Sequence, residues 1–167
     1  FNNPDFPWWK YFSREPASFK NYKELKNRLN LAEALTFMAT QYNNVSYLNN
    51  TAENVAVVAV GPDYSSVMYV DISKGRYFSS QEEATGKNVA IIGYDIANSL
   101  FEGTEALNKT IKINGRKINV IGVFAKEGEN NFGSSADNQI MIPASFASNF
   151  MRINFDETDP TIIVKAK

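Results

Sequence analysis

The 167-residue sequence contains no histidine and no cysteine. Without imidazole there is no Ser-His-Asp triad, no HExxH zinc motif and no histidine base. Without thiols there is no cysteine nucleophile, no iron–sulfur or thiolate zinc centre and no disulfide. An excess of positive charge is also missing: 17 basic and 18 acidic side chains give a net charge of −1. That balance excludes the basic stripe of a nucleic-acid-binding module. Lys20, Lys23, Lys26 and Arg28 do cluster, but Glu24 interrupts them and they read as the wet face of a helix. Long hydrophobic runs are absent too. The longest uncharged stretch, residues 34–52, contains Gln41, Asn43, Asn44, Asn49 and Asn50, which no bilayer-spanning helix would carry. Neither GxGxxG nor GxxxxGK[ST] occurs, so no phosphate loop is predicted.

What remains is a 44% hydrophobic, 21% charged chain of ordinary globular composition, long enough for one domain or two small lobes. It begins at Phe1 and ends at Lys167 directly after an apolar run, and reads as a piece of a longer protein. Residues 1–17 hold Pro4, Pro7 and Pro16 beside Phe6, Trp8, Trp9, Tyr11 and Phe12. That density of proline predicts an irregular aromatic arm. Its rings either cover the core or meet a membrane surface or partner. Ser18 caps an amphipathic helix running to about Leu29. Strands are predicted over Leu35–Tyr42, Val45–Leu48 and Asn54–Val60, with Asn43–Asn44 as the turn between the first two.

Pro62 and Asp63 open a short helix to about Tyr69. Ser80 and Glu83 have the spacing of a capping box, and Gly86 closes that helix. Asn88–Ile92 is a strand and Asp95–Phe101 a helix. Thr110–Ile113 and Arg116–Phe124 form a hairpin around Asn114–Gly115, because both central positions of a type I′ turn need positive φ. Residues 126–136 make a Gly/Asn/Ser loop whose one large apolar residue is Phe132. Gln139–Ile142 is a strand, Ala144–Met151 a helix and Thr161–Lys165 a last strand.

The chemistry left to such a chain is that of carboxylates, lysine, tyrosine and oxygen-ligated metals. Asp71, Glu82, Glu83, Asp95 and Asp137 are the acids that a glycosidase-like pair would draw on, but nothing in the sequence brings two of them together. The 156–159 run of acids lacks the glycine and distal glutamate of an EF-hand and reads as a solvated turn. No catalytic, metal or cofactor residue is assigned. Two binding features stand out. Asn130, Asn131 and Phe132 put an apolar ring in a polar loop tip, which either packs onto its own lobe or, if the chain is part of a larger assembly, is the expected partner contact. The aromatic arm would serve a secreted carbohydrate- or ligand-binding module as a stacking platform.

One succession of turns and strands carries more. Val60-Gly-Pro-Asp-Tyr64 is followed by Ile72, Gly75-Arg-Tyr-Phe-Ser79, Val89-Ala-Ile-Ile-Gly93 and Leu100-Phe-Glu-Gly103. Lys109 to Gly115, Val120-Ile-Gly-Val123 and Ile142–Pro143 complete it. In order and spacing this resembles the MacB-type periplasmic core domain, over about residues 18–167. That domain lies between the first two membrane helices of ABC transporter permeases, including the FtsX and LolC/LolE groups. The resemblance implies an α+β fold of two lobes: an α/β lobe from 18–74 with 152–167, and an inserted β-rich lobe at 75–151. It implies no enzyme and no cofactor of its own. It implies a place on the periplasmic side of the bacterial inner membrane, coupling transmembrane motion to export. The partners implied are membrane helices of the same polypeptide, a cytoplasmic ATPase subunit or domain, and a periplasmic adaptor or substrate protein.

Overall fold

The computed structural model describes residues 32–127, 136–148 and 161–166. The expected aromatic arm at 1–17 and the helix at 18–29 lie outside these residues. The described elements are β1 (Ala32–Tyr47), β2 (Asn50–Val60), α1 (Tyr64–Val67), β3 (Ile72–Gly75), α2 (Ser80–Thr85), β4 (Val89–Ile92), α3 (Tyr94–Phe101), β5 (Thr110–Ile113) and β6 (Arg116–Phe124). A 3-10 turn (Ala136–Asn138), β7 (Gln139–Pro143), α4 (Ala144–Ala147) and β8 (Thr161–Ala166) complete them. The body is sheet-rich with four short helices among the described residues, an α+β fold as expected.

Three local expectations are corrected. The Asn43–Asn44 turn is absent; β1 runs through the pair with a bulge and turns instead at Leu48–Asn49. The longer hairpin lets the apolar run of β2 pair along β1 as far as Met38 with Val60. Asn44 spends its side chain on the bulge, where Oδ1 accepts the Asn54 N–H at 3.0 Å. Helix α1 begins at Tyr64, after Asp63, and ends at Val67. Asp63 sits at φ 66°, in the left-handed region, and so cannot join the first turn. The capping box is formed by Ser79 and Glu82 rather than Ser80 and Glu83. The Asn114–Gly115 hairpin is as expected, with φ of 50° and 75° at its two central residues.

The strand pairings close on themselves. β1 pairs β2, β2 pairs β7, β7 pairs β4, β4 pairs β6, β6 pairs β5 and β5 returns to β1. β8 adds to the first half of β1, and β3 to the end of β6. The inner face of the circuit carries one core, including Ala39, Val57, Ala59, Ala90, Ile92, Ile111, Ile113, Ile118, Val120, Ile140 and Ile142. Ile96, Leu100 and Phe101 of α3 and Phe146 of α4 join it. The outward residues Val58, Val60, Val89, Ile91, Ile121 and Met141 form a second cluster with Tyr64 and Phe78. Both faces of β2, β4 and β6 are therefore buried, which explains their unbroken apolar runs. Three pairings (β2–β7, β1–β5 and β3–β6) cross the division expected near residue 75.

Candidate functional site

The register gives the body two distinct ends. Ala32 pairs Ala166, so the segments entering β1 and leaving β8 sit side by side. The Leu48–Asn49 turn closes the other end of β1, roughly 50 Å away at about 3.3 Å per residue. Across the sheet, Gln41, Val57, Ile140, Ile92 and Val123 share one row. From that row β4 and β6 run forward, and β7 backward, toward the Leu48 end. Helix α3, the exit from β6 and the entry to β7 therefore gather there. Asn50 Nδ2 donates to the Leu100 carbonyl at 2.8 Å, and the Tyr47 ring lies 4.3 Å from that of Phe101. Leu48 itself is 84% exposed. Asn130, Asn131 and Phe132 lie outside the described residues. Their described flanks are tied together at this same end, where the Glu127 N–H donates to Asp137 Oδ1 at 3.0 Å.

A cleft opens where β6 changes partners along one edge. β5 pairs β6 as far as Asn119, and β3 takes over at Gly122. Three bonds hold the junction: Asn108 N–H to the Val120 carbonyl at 2.8 Å, Val120 N–H to the Lys109 carbonyl at 2.9 Å, and Arg76 N–H to the Ile121 carbonyl at 3.1 Å. Gly75, Arg76, Glu82, Lys87, Val89, Leu107, Asn108, Asn119 and Ile121 line about 420 Å³ of space. On its rim Arg76 grips Glu82 with both guanidinium ends, Nη1 to Oε1 at 2.6 Å and Nη2 to Oε2 at 3.2 Å. Glu82 Oε1 also accepts the Ser79 N–H at 2.9 Å. Chiefly through Arg76, these bonds hold the Glu82 carboxyl down at about 2.

A depressed carboxyl stabilises the fold above its unfolded value, and that contribution fades as pH falls through the folded one. The window here runs from the ordinary 4.5 down to about 2. Arg76→Gln is expected to lower the melting temperature at neutral pH, with the difference closing across that window in thermal scans. Because the Arg76 side chain is 57% exposed, the contribution is of order 1 kcal/mol.

Beside the cleft, Tyr77 Oη and Glu83 Oε1 are both buried without a hydrogen-bond partner. Burial, then the negative charge of Glu83, pushes the Tyr77 phenol well above its ordinary range. Burial, then Asp63, pushes the Glu83 carboxyl up. The Glu83 cap expected from sequence is thus Glu82's, and Ser145 Oγ instead donates to the Glu83 carbonyl. None of this assembles a nucleophile with a base. Among the described residues no group of three or more Asp or Glu is placed to hold a metal ion.

A family profile described as the MacB-like periplasmic core domain matches residues 5–167. The chain belongs to this family. It is 30% identical over 111 residues to the pyoverdine export ATP-binding/permease protein PvdT of Pseudomonas aeruginosa, covering 66% of this chain and 16% of that protein. It is 28% identical over 144 residues to the macrolide export ATP-binding/permease protein MacB of Marinobacter nauticus, covering 84% and 21%. The chain thus spans at most about a fifth of these relatives. The fold is shared with the extracellular domain of the ABC-type transporter YknZ from Gram-positive bacteria, at TM-score 0.75 and 20% identity, over 90% of this chain and 73% of that one. It is shared too with the periplasmic region of MacB from Actinobacillus actinomycetemcomitans, at TM-score 0.74 and 16% identity, over 96% and 70%. The MacB-like family and its fold, expected from the order of turns and strands, are borne out. This is a periplasmic core domain of the MacB-like permease type, and no described helix is long and apolar enough to cross a membrane.

Proposed function

We propose that this domain is the non-catalytic relay of an ABC transporter permease on the periplasmic side of the bacterial inner membrane. Membrane helices of the same polypeptide, driven by a cytoplasmic ATPase subunit or domain, move its base. Its far end hands that motion to a periplasmic adaptor or substrate protein in export. The observation that carries this is β1. One 16-residue strand, bulged at Ala32/Ala34 and at Asn43/Val45, joins the paired Ala32–Ala166 base to the Leu48 tip, paired with β8 over Ala32–Met38, with β2 over Met38–Tyr47 and with β5 at Val45 and Ser46. A strand paired along nearly its whole length moves with its neighbours, so a displacement at one end is passed toward the other. The names of the relatives, export ATP-binding/permease proteins, supply the direction of transport.

Leu48 and the loop with Asn130, Asn131 and Phe132 are the contact at the far end. An 84% exposed leucine and a lone ring in a polar loop are apolar groups that a partner would cover. In the full-length permease with its ATPase, Leu48→Asp combined with Phe132→Ser is expected to reduce partner-dependent export about tenfold, a loss of some 1.4 kcal/mol in coupling. Basal ATP hydrolysis and the melting temperature should hold if both residues serve the contact, since an exposed substitution such as Leu48→Asp costs within about 0.5 kcal/mol. Unchanged export, or a large stability loss, would overturn this assignment of the contact.

A further inference from the structure

The cleft between β3, β4 and the lead-in to β5 is lined by no residue of β1, β2 or β8, the strands the relay reading uses. Its volume of about 420 Å³ falls within the roughly 300–1,000 Å³ usual for small-molecule sites. Val89, Leu107 and Ile121 supply an apolar floor. Three polar residues line it from three separate segments: Lys87 from the α2–β4 link, Asn108 from the lead-in to β5, and Asn119 from β6. No hydrogen bond or ion pair engages any of the three side chains among the described residues. Arg76 and Glu82, by contrast, neutralise each other through two bonds. The net charge of the recess is therefore the single positive charge of Lys87.

A ligand that satisfies all of this has an anionic oxygen for the ammonium, an amide for the two carboxamides, and an apolar group for the floor. Asparagine carboxamides both donate and accept, so they complement an amide rather than a second charge. We propose that this cleft binds a carboxylate flanked by an amide and an apolar side chain, the chemistry of an N-acylated amino acid. That chemistry has two sources: free acyl-amino acids, and the C-terminal residue of a peptide.

The test titrates the full chain, labelled with nitrogen-15, with N-acetyl-leucine, its uncharged carboxamide, and an acetylated tripeptide ending in leucine. Saturable shifts of the Asn108 and Asn119 carboxamide signals are expected with both carboxylates, with the uncharged compound at least about tenfold weaker. Lys87→Gln should erase that preference while leaving the backbone spectrum unchanged, since Lys87 is exposed. Lys109→Gln, a neighbouring cation outside the cleft lining, should leave binding as it was. Tighter binding of the tripeptide by about tenfold assigns the peptide source; equal binding assigns the free acid. The proposal is overturned if neither carboxylate gives saturable shifts at these residues or if charged and uncharged compounds bind alike. It is overturned equally if Lys87→Gln matches the parent, or if Lys109→Gln weakens binding as much. None of these outcomes bears on export, so this proposal and the relay reading fail separately.

Discussion

Gly75→Ala is expected to cost more than about 4 kcal/mol, a loss in the exceptional tail of single substitutions. Two effects add. Gly75 sits at φ +77°, which a Cβ disfavours by roughly 1–2 kcal/mol. A Cβ there would also lie 2.1 Å from the Ile121 carbonyl oxygen and 2.8 Å from the Gly122 Cα, both backbone atoms that no rotamer change can move. Relief requires β3 to lift off β6, which breaks the Arg76 N–H bond to Ile121 at the same point. Gly115→Ala is the internal control. It shares a positive φ, +75°, but nothing lies within 4 Å of its Cβ, so only the conformational cost remains. Thermal unfolding should show a drop of roughly 10 °C or more for Gly75→Ala and a few degrees for Gly115→Ala. Equal drops would mean that the close approach of β3 to β6 carries no energy.

Leu100→Ala is the second large effect, at about 3 kcal/mol. Leu100 is completely buried, and its helix packs into the inner core at the end where the β1–β2 turn lies. Its removal leaves a void lined by a sheet that closes on itself, which cannot collapse freely. The Leu100 carbonyl also receives Asn50 Nδ2, so loosening α3 should loosen the hairpin. Chemical denaturation should report the loss. Amide exchange should speed in residues 94–101 and near Asn50 before it does in β4 and β6. A cost below about 1 kcal/mol would show that α3 is not part of the core's closure.

What could be read from the sequence, and what could not, follows from the range of the interactions involved. Asn114–Gly115 specifies its own turn through backbone sterics, and alternation fixed Ile111 and Ile113 inward and Lys112 outward. Ser-Ser-Gln-Glu-Glu, residues 79–83, offers two capping boxes one residue apart, and Arg76 Nη1 and Nη2, from outside the helix, select Glu82. The Asn43–Asn44 pair looks like a turn locally, but pairing of β1 with the whole of β2 wins over it. The closed circuit of strands was beyond reach because its seams join residues far apart, as Val45 with Ile113. The cleft is illegible for the same reason. Lys87, Asn108 and Asn119 carry no motif, and only the change of partners along β6 brings them around one recess.

The antiparallel pairing of β1 with β8 sets a rule for whatever is attached at the base. The ladder opens at Ala32–Ala166 and ends at Met38–Thr161, so its two free tails point the same way. Tails pulled apart would peel such a ladder like a zipper, loading its bonds one after another, whereas tails pulled together load none of them. On the relay reading, two attachments there would have to travel in step, since a stroke that separated them would undo the seam before it tilted the domain.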